Sequence, residues 1–329
     1  VQIIDDATVR AILEPDRVLR LMELALVAGA RGKAINPVRT VVQSGDGPLA
    51  GWFATMPASL DLGPAGEREF GVGTVLGAKL VTAFPANRER GLPTHRALIA
   101  AIDPVTGEIS ALVEGDAVTE LRTAAVSTLA VRRFGRRLPG RLAVLGCGVQ
   151  GRAHVEALVA AGLVSSLAVW SRTASNAQAF ALRARAAGIP AEAFSTPRET
   201  LTHADIVVTA TNASEPLFSL EDLPESSIVA AVGACVPTRR EVPALVMARS
   251  ALYVDDRAAA ECEAGDLLLA RRDLGIAIEP QATLGEMLAD PARAVPREAP
   301  FIVFESLGLG LEDVACAAAV AAQAGRARA

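Results

Sequence analysis

Hydrophobic positions in the first thirty residues recur at helical spacing. Asp5 or Asp6 can cap a short helix running to Leu13, and Pro15 opens a longer one with Val18, Leu21, Met22 and Leu26 on one face. From Pro37 the period shortens to two. PVRTVVQ and LAGWFATM read as strands joined by the turn residues Ser44-Gly45-Asp46-Gly47-Pro48. VGTVLGAKLVTAF, THRALIAAID and EISALVEG follow as further strands, the last two separated by Pro104-Val105-Thr106-Gly107. The first third of the chain therefore reads as mostly antiparallel sheet.

Residues 116 to about 135 form an Ala-rich helical stretch with Asp116 as its N-cap, and a domain boundary is expected along it. Beyond Arg141 strand and helix alternate: RLAVLG, a helix from Val149, SLAVWS, a helix from Thr173 to Ala187, ADIVVTATN, SSIVAAVG and ALYVDD. Alternation of this kind builds a parallel sheet. After Asp290 a Pro-rich, charged stretch leads to FIVFES and a last helix from about Gly310. That tail is too short to fold alone and is expected to return to the first domain.

Composition narrows the class. With 329 residues, 51% hydrophobic and 21% charged, the chain holds enough apolar material for a sizeable core and too much for disorder. A formal charge of -5 leaves no basic field for nucleic acid, and 4% aromatic content leaves little surface for stacking bases. No apolar run reaches the roughly 20 residues of a membrane span, and VQIIDDATVR lacks the basic-then-apolar layout of a signal peptide. Cys147, Cys235, Cys262 and Cys316 have no CxxC spacing, which argues against a disulfide framework or zinc site and fits a reducing cytoplasm.

Gly146-Cys147-Gly148-Val149-Gln150-Gly151 fits GxGxxG, with the strand RLAVL before it and the helix RAHVEALVAA after it. In that setting the glycines admit a tight turn and close backbone approach, so that a pyrophosphate can sit at the positive end of the helix. The second strand ends Val169-Trp170-Ser171-Arg172-Thr173, with no acid to receive a ribose 2'-hydroxyl. Arg172 with the hydroxyls of Ser171 and Thr173 suits a 2'-phosphate, which favours NADPH over NADH; the other reading is a solvated arginine after a strand.

Three cations, Arg39, Lys79 and Arg122, stand in apolar or small-residue surroundings. If they converge they can hold a small carboxylate, the arginines by a bidentate fork and the lysine as a point charge; singly, each reads as a surface residue or salt-bridge member.

GAKLVTAFPANRERGLPTH, LRTAAVSTLA, LGCGVQGRAH, AVWSRT, TNASEPLF, AAVGACVPTRREV, ALYVDD, EAGDLLL and VFESLGLGLEDVACAA together resemble the ornithine cyclodeaminase/mu-crystallin family. The resemblance runs from about residue 35 to the end. It implies an α/β chain with a Rossmann-type dinucleotide-binding domain, 119–302, and a mostly antiparallel α+β substrate and dimerisation domain, 1–118, completed by 303–329. It also implies a homodimer built through the first domain. Hydride would pass between nicotinamide and the α-carbon of a small imino or amino acid. Arg39, Lys79 and Arg122 would converge on the substrate carboxylate, with Lys79 and Arg122 in catalytic roles. Thr94, His95, Thr123, Thr209, Ala210, Thr211, Gly233 and Ser306 would lie near the cofactor or the substrate cleft, beside the glycine loop itself.

One departure discriminates between members. Where the resembling cyclodeaminases and alanine dehydrogenases carry an acid/base aspartate, this chain has Cys235, which is no fixed counter-ion for an ammonium near neutral pH. The bland reading of Cys235 is a small residue shaping the substrate pocket. A ketimine needs no amine displaced, so the expectation is reduction of Δ1-pyrroline-2-carboxylate or Δ1-piperideine-2-carboxylate to the L-imino acid. The alternatives are a cyclodeaminase or alanine-dehydrogenase-like enzyme, and a cofactor-binding protein without turnover. His95 could orient nicotinamide, supply a proton or be structural; Asp313 and Glu241 read equally as electrostatic partners or ordinary acids.

Overall fold

Local chemistry sets each early element. A short strand β1 (Gln2–Ile4) precedes helices α1 (Asp6–Ile12) and α2 (Pro15–Ala30). Asp5 caps α1 by accepting from Thr8 N at 2.9 Å, and Pro15 opens α2 where an amide donor has no intrahelical partner to lose. Then come β2 (Ala34–Ile35), β3 (Thr40–Ser44), β4 (Gly51–Asp61), helix α3 (Gly63–Phe70), β5 (Thr74–Ala83), β6 (His95–Ile102) and β7 (Ile109–Glu114). β3 and β4 form the expected hairpin, with Ser44 opposite Gly51. Pro48 of its turn lies outside the described residues, which are 1–47 and 49–326 of this computed structural model. The sheet runs β1-β7-β6-β5-β4-β2 with β3 also on β4, antiparallel except for β1 on β7.

Helix α4 (Gly115–Phe134) follows β7 without a loop, and this corrects the expected cap. Asp116 turns aside to accept from Ala97 N of β6 at 2.9 Å, while Glu114 Oε2 accepts from Asp116 N at 2.9 Å and so does the capping. The direct passage needs Gly115, where a Cβ would come within 2.6 Å of the Ala97 side chain.

The rest of the chain alternates as its pattern predicts: β8 (Gly140–Leu145), α5 (Val149–Ala160), β9 (Val164–Trp170), α6 (Ala174–Ala186), β10 (Ala191–Ala193), α7 (Pro197–Leu201), β11 (Ile206–Thr209) and β12 (Ile228–Ala231). After these come α8 (Ala244–Arg249), β13 (Ser250–Val254), α9 (Arg257–Glu263), α10 (Gly265–Leu274), β14 (Ala282–Thr283), α11 (Leu284–Ala289), β15 (Phe301–Glu305) and α12 (Gly310–Arg326). Their strands form one parallel sheet, β10-β9-β8-β11-β12-β15-β13-β14.

The chain divides into two units, residues up to Arg122 with those from Leu309 onward, and Thr123–Gly308. The boundaries thus differ from 118 and 303. The first falls within α4. At the second, β15 does not return with the tail but lies between β12 and β13, because all five residues of FIVFE are buried and such a strand needs cover on both faces. Only α12 rejoins the first unit, where the missing side chains of Gly77 and Gly310 let it approach. A Cβ on Gly77 would lie 3.2 Å from Val314 Cγ1, and one on Gly310 would lie 2.9 Å from Met56 O.

Candidate active site

In the first unit, β5 turns Val75, Gly77 and Lys79 to its buried face. Lys79 is 2% exposed, so its ammonium must find partners. It donates to Thr119 Oγ1 of α4 at 2.7 Å and to Asp313 Oδ1 of α12 at 3.1 Å. The same Asp313 oxygen accepts from Arg122 Nε at 3.1 Å, and Glu312 Oε2 accepts from Arg122 Nη1 at 2.8 Å. Three elements thus meet in one buried ionic cluster. Burial pulls Lys79 down to about 8; Asp313 resists that fall, while Arg122 and Arg39 add to it. The third cation of the sequence analysis, Arg39, is therefore close enough to act on Lys79. One N–H of Lys79 and the Nη2 group of Arg122 take no part in these bonds.

His95 is not brought to that cluster. It pairs with Ala83 while Lys79 pairs with Ile99, four residues along the ladder or roughly 13 Å away. Its Nδ1 lies 3.2 Å from Thr94 Oγ1, and its ring meets Trp52 edge-on at 6.4 Å.

In the second unit the three loop glycines have different reasons to be glycine. Gly146 takes φ +119°, and a Cβ there would strike Ala210 O; a Cβ on Gly151 would strike Gly146 O; around Gly148 the space is open. Gly148 caps α5 with no side chain over the helix end, and Val149 is exposed. The N-terminus of α5 therefore opens onto this loop with no side chain across it, and a dinucleotide pyrophosphate fits this cradle. Ser171, Arg172 and Thr173 follow β9; Arg172 is exposed and forms no ion pair among the described residues. His154 is structural: its Nδ1 donates to Gln150 O at 2.8 Å and its Nε2 accepts from Ser127 Oγ at 2.9 Å, with burial lowering the ring to about 4 so that it stays neutral.

The carboxyl ends of β11, β12 and β15 carry Thr209, Ala210, Thr211, Gly233, Cys235 and Ser306. Thr209 and Ser306 are buried, Cys235 half-buried, and Ser306 N donates to Ala231 O at 2.8 Å. Sequence reasoning did not assemble a group of buried carboxyls in the same unit: Glu241, Asp255, Asp266 and Glu305, each at most 5% exposed. Burial raises all four, and mutual repulsion raises Asp266 and Glu305 further. Thr123 is buried in α4.

Residues 3–327 match the ornithine cyclodeaminase/mu-crystallin family. The chain belongs to that family. The ketimine reductase mu-crystallin of Mus musculus is 34% identical over 296 residues, covering 88% of this chain and 85% of the mouse protein. Among solved structures, the Thermococcus litoralis Δ1-pyrroline-2-carboxylate reductase in complex with NADH and L-proline superposes with a TM-score of 0.90 at 26% identity. It covers 100% of this chain and 98% of that one. An archaeal alanine dehydrogenase dimer with bound NAD gives 0.89 at 26% identity, covering 100% and 97%. These likenesses agree with the α/β class and the family expected above.

Proposed function

We propose that this family member is a nicotinamide-dependent reductase of cyclic ketimine carboxylates, forming L-proline from Δ1-pyrroline-2-carboxylate and L-pipecolate from its six-membered analogue. The observation that carries it is the buried cluster in which Asp313 holds Lys79 and Arg122 together while donors of both remain uncommitted. A substrate carboxylate is the natural acceptor: the guanidinium offers a planar fork and the ammonium a compact charge. Arg39 adds the third cation. Fixing the carboxylate fixes the ring carbon beside it, and such positioning contributes a large share of rate. Neutral imines would leave those remaining donors without an acceptor and bind poorly.

The glycine cradle and the amides of α5 would hold the pyrophosphate of NADPH or NADH, with Arg172, Ser171 and Thr173 favouring the 2'-phosphate. When bound, that cofactor supplies the hydride. Cys235 provides no carboxylate to hold a substrate ammonium, which favours an imine over an amino acid. A homodimer is supported by the face of the first sheet turned away from α12. There Val42, Phe53, Pro57, Leu80 and Leu98 make an apolar surface, of which Val42, Pro57, Leu80 and Leu98 are exposed.

The test is loss of nicotinamide absorbance with Δ1-pyrroline-2-carboxylate, using NADPH and then NADH, against pyruvate plus ammonia. Rapid oxidation with the ketimine, faster with NADPH, is expected. Oxidation confined to pyruvate plus ammonia would make the protein an amino-acid dehydrogenase, and none with either would leave a binding protein.

A further inference from the structure

The second unit carries a buried carboxylate that the proposed reaction does not use. Glu241 is 0% exposed and lies in the segment between β12 and α8. Its Oε1 accepts from both Thr211 N and Thr211 Oγ1 at 2.6 Å, and its Oε2 accepts from Gly233 N at 2.8 Å. Thr211 stands two residues beyond β11 and Gly233 two beyond β12. These strands are parallel neighbours, with Thr209 opposite Ala231. One side chain therefore spans the mouths of two adjacent strands.

The arrangement is built around that carboxylate. A Cβ on Gly233 would lie 2.5 Å from Glu241 Oε2, so only glycine leaves room for it. Glu241 is itself held: its backbone N donates to Asp266 Oδ1 at 2.7 Å, as does Val242 N at 2.8 Å. On the other side of β11, Gly146 of the phosphate loop packs against Ala210 and Thr211, its missing Cβ 3.0 Å from Thr211 Cγ2. The mouths of β8, β11 and β12 thus form one backbone platform, and Glu241 locks its β11–β12 side.

We propose that Glu241 is a positioning residue for the nicotinamide half of the cofactor. In doubly wound sheets each half of a dinucleotide lies against one half of the sheet, outside the carboxyl ends of its strands. Here β8, β9 and β10 belong to the half on the phosphate-loop side, and β11 and β12 open the other. Three donors converging on two oxygens require the carboxylate form. An amide in its place turns an NH2 group toward an N–H donor in either orientation. The spacing of Thr211 and Gly233 then relaxes, while the loop at β8 and the end of β9 keep their own bonds.

This inference rests on the cofactor part of the proposed function and not on the substrate. The test is binding of NADPH, followed by nicotinamide fluorescence, and of 2'-phospho-ADP-ribose, followed by calorimetry, in the unmodified chain and in Glu241→Gln. NADPH should bind about tenfold more weakly, the scale of one buried unsatisfied donor. The fragment, which lacks nicotinamide, should bind within about twofold of the unmodified value. Equal weakening of both ligands, or no change in either, overturns the proposal. If Glu241→Gln does not fold, Thr211→Val removes one of the three donors and should give the same split at smaller amplitude, with Thr211→Ser restoring binding; equal losses or no loss there count against it in the same way. Failure of the unmodified chain to bind NADPH or NADH refutes the cofactor reading directly. Cofactor binding without ketimine reduction refutes only the substrate reading.

Discussion

A lysine on the buried face of a sheet, two residues from Gly77 and four from Val75, must lose water without losing its charge. Lys79 does so through Asp313, which shares one oxygen between it and Arg122. The sign of its titration follows. Burial lowers the ammonium from 10.5 to about 8, so the charged form is lost as pH rises through about 8. A carboxylate substrate needs the charged form, so kcat/KM for the ketimine should fall on that alkaline limb, which reports the free enzyme. Asp313→Asn removes the charge that resists the fall, and the limb should then move to lower pH. An unchanged limb in a folded variant would remove Lys79 from substrate binding. Lys79 and Arg122 were legible as charges in apolar settings, but the residue that joins them was not, because Asp313 is far from both in sequence. Asp313 itself read equally as a first-turn acid, since its partners lie 191 and 234 residues away.

Elements whose determinants are local were the most legible. GxGxxG between an apolar strand and a helical run specified β8, its turn and α5, because the turn, the positive φ at Gly146, the contact of Gly151 with Gly146 O and the open end at Gly148 are set within a few residues; the packing of Gly146 against Ala210 is not. The structure separates their roles. Gly148→Ala should leave the melting temperature nearly unchanged, since nothing lies within 4 Å of the added methyl, yet weaken cofactor binding by filling the cradle. Gly151→Ala meets Gly146 O and should lower stability by about 1–3 kcal/mol, the cost of overpacking, measured by thermal unfolding. Equal effects of the two on stability would contradict this division. β1 was missed because three residues carry no period, and the cap of α4 was misassigned because Asp116 has a stronger claim from Ala97 N on a neighbouring strand.

At the scale of the whole molecule, the proposed dimer would place the exposed leucines at positions 80 and 98, on the outer face of the first sheet, against another surface. Leu80→Glu should shift the protein from dimer to monomer in light scattering; a dimer of unchanged mass would place the interface elsewhere. The sequence by itself determined the main strands and helices, the division into an antiparallel and a parallel sheet, and the phosphate loop, because hydrophobic period and glycine chemistry act over a few residues. Tertiary structure alone decided that β15 enters the parallel sheet while α12 leaves it, and that Asp313 joins Lys79 to Arg122. It also decided that Glu241 bridges two strand mouths. These depend on burial, which removes water from charges and makes distant residues each other's only solvent, and no local pattern encodes which distant residue that is.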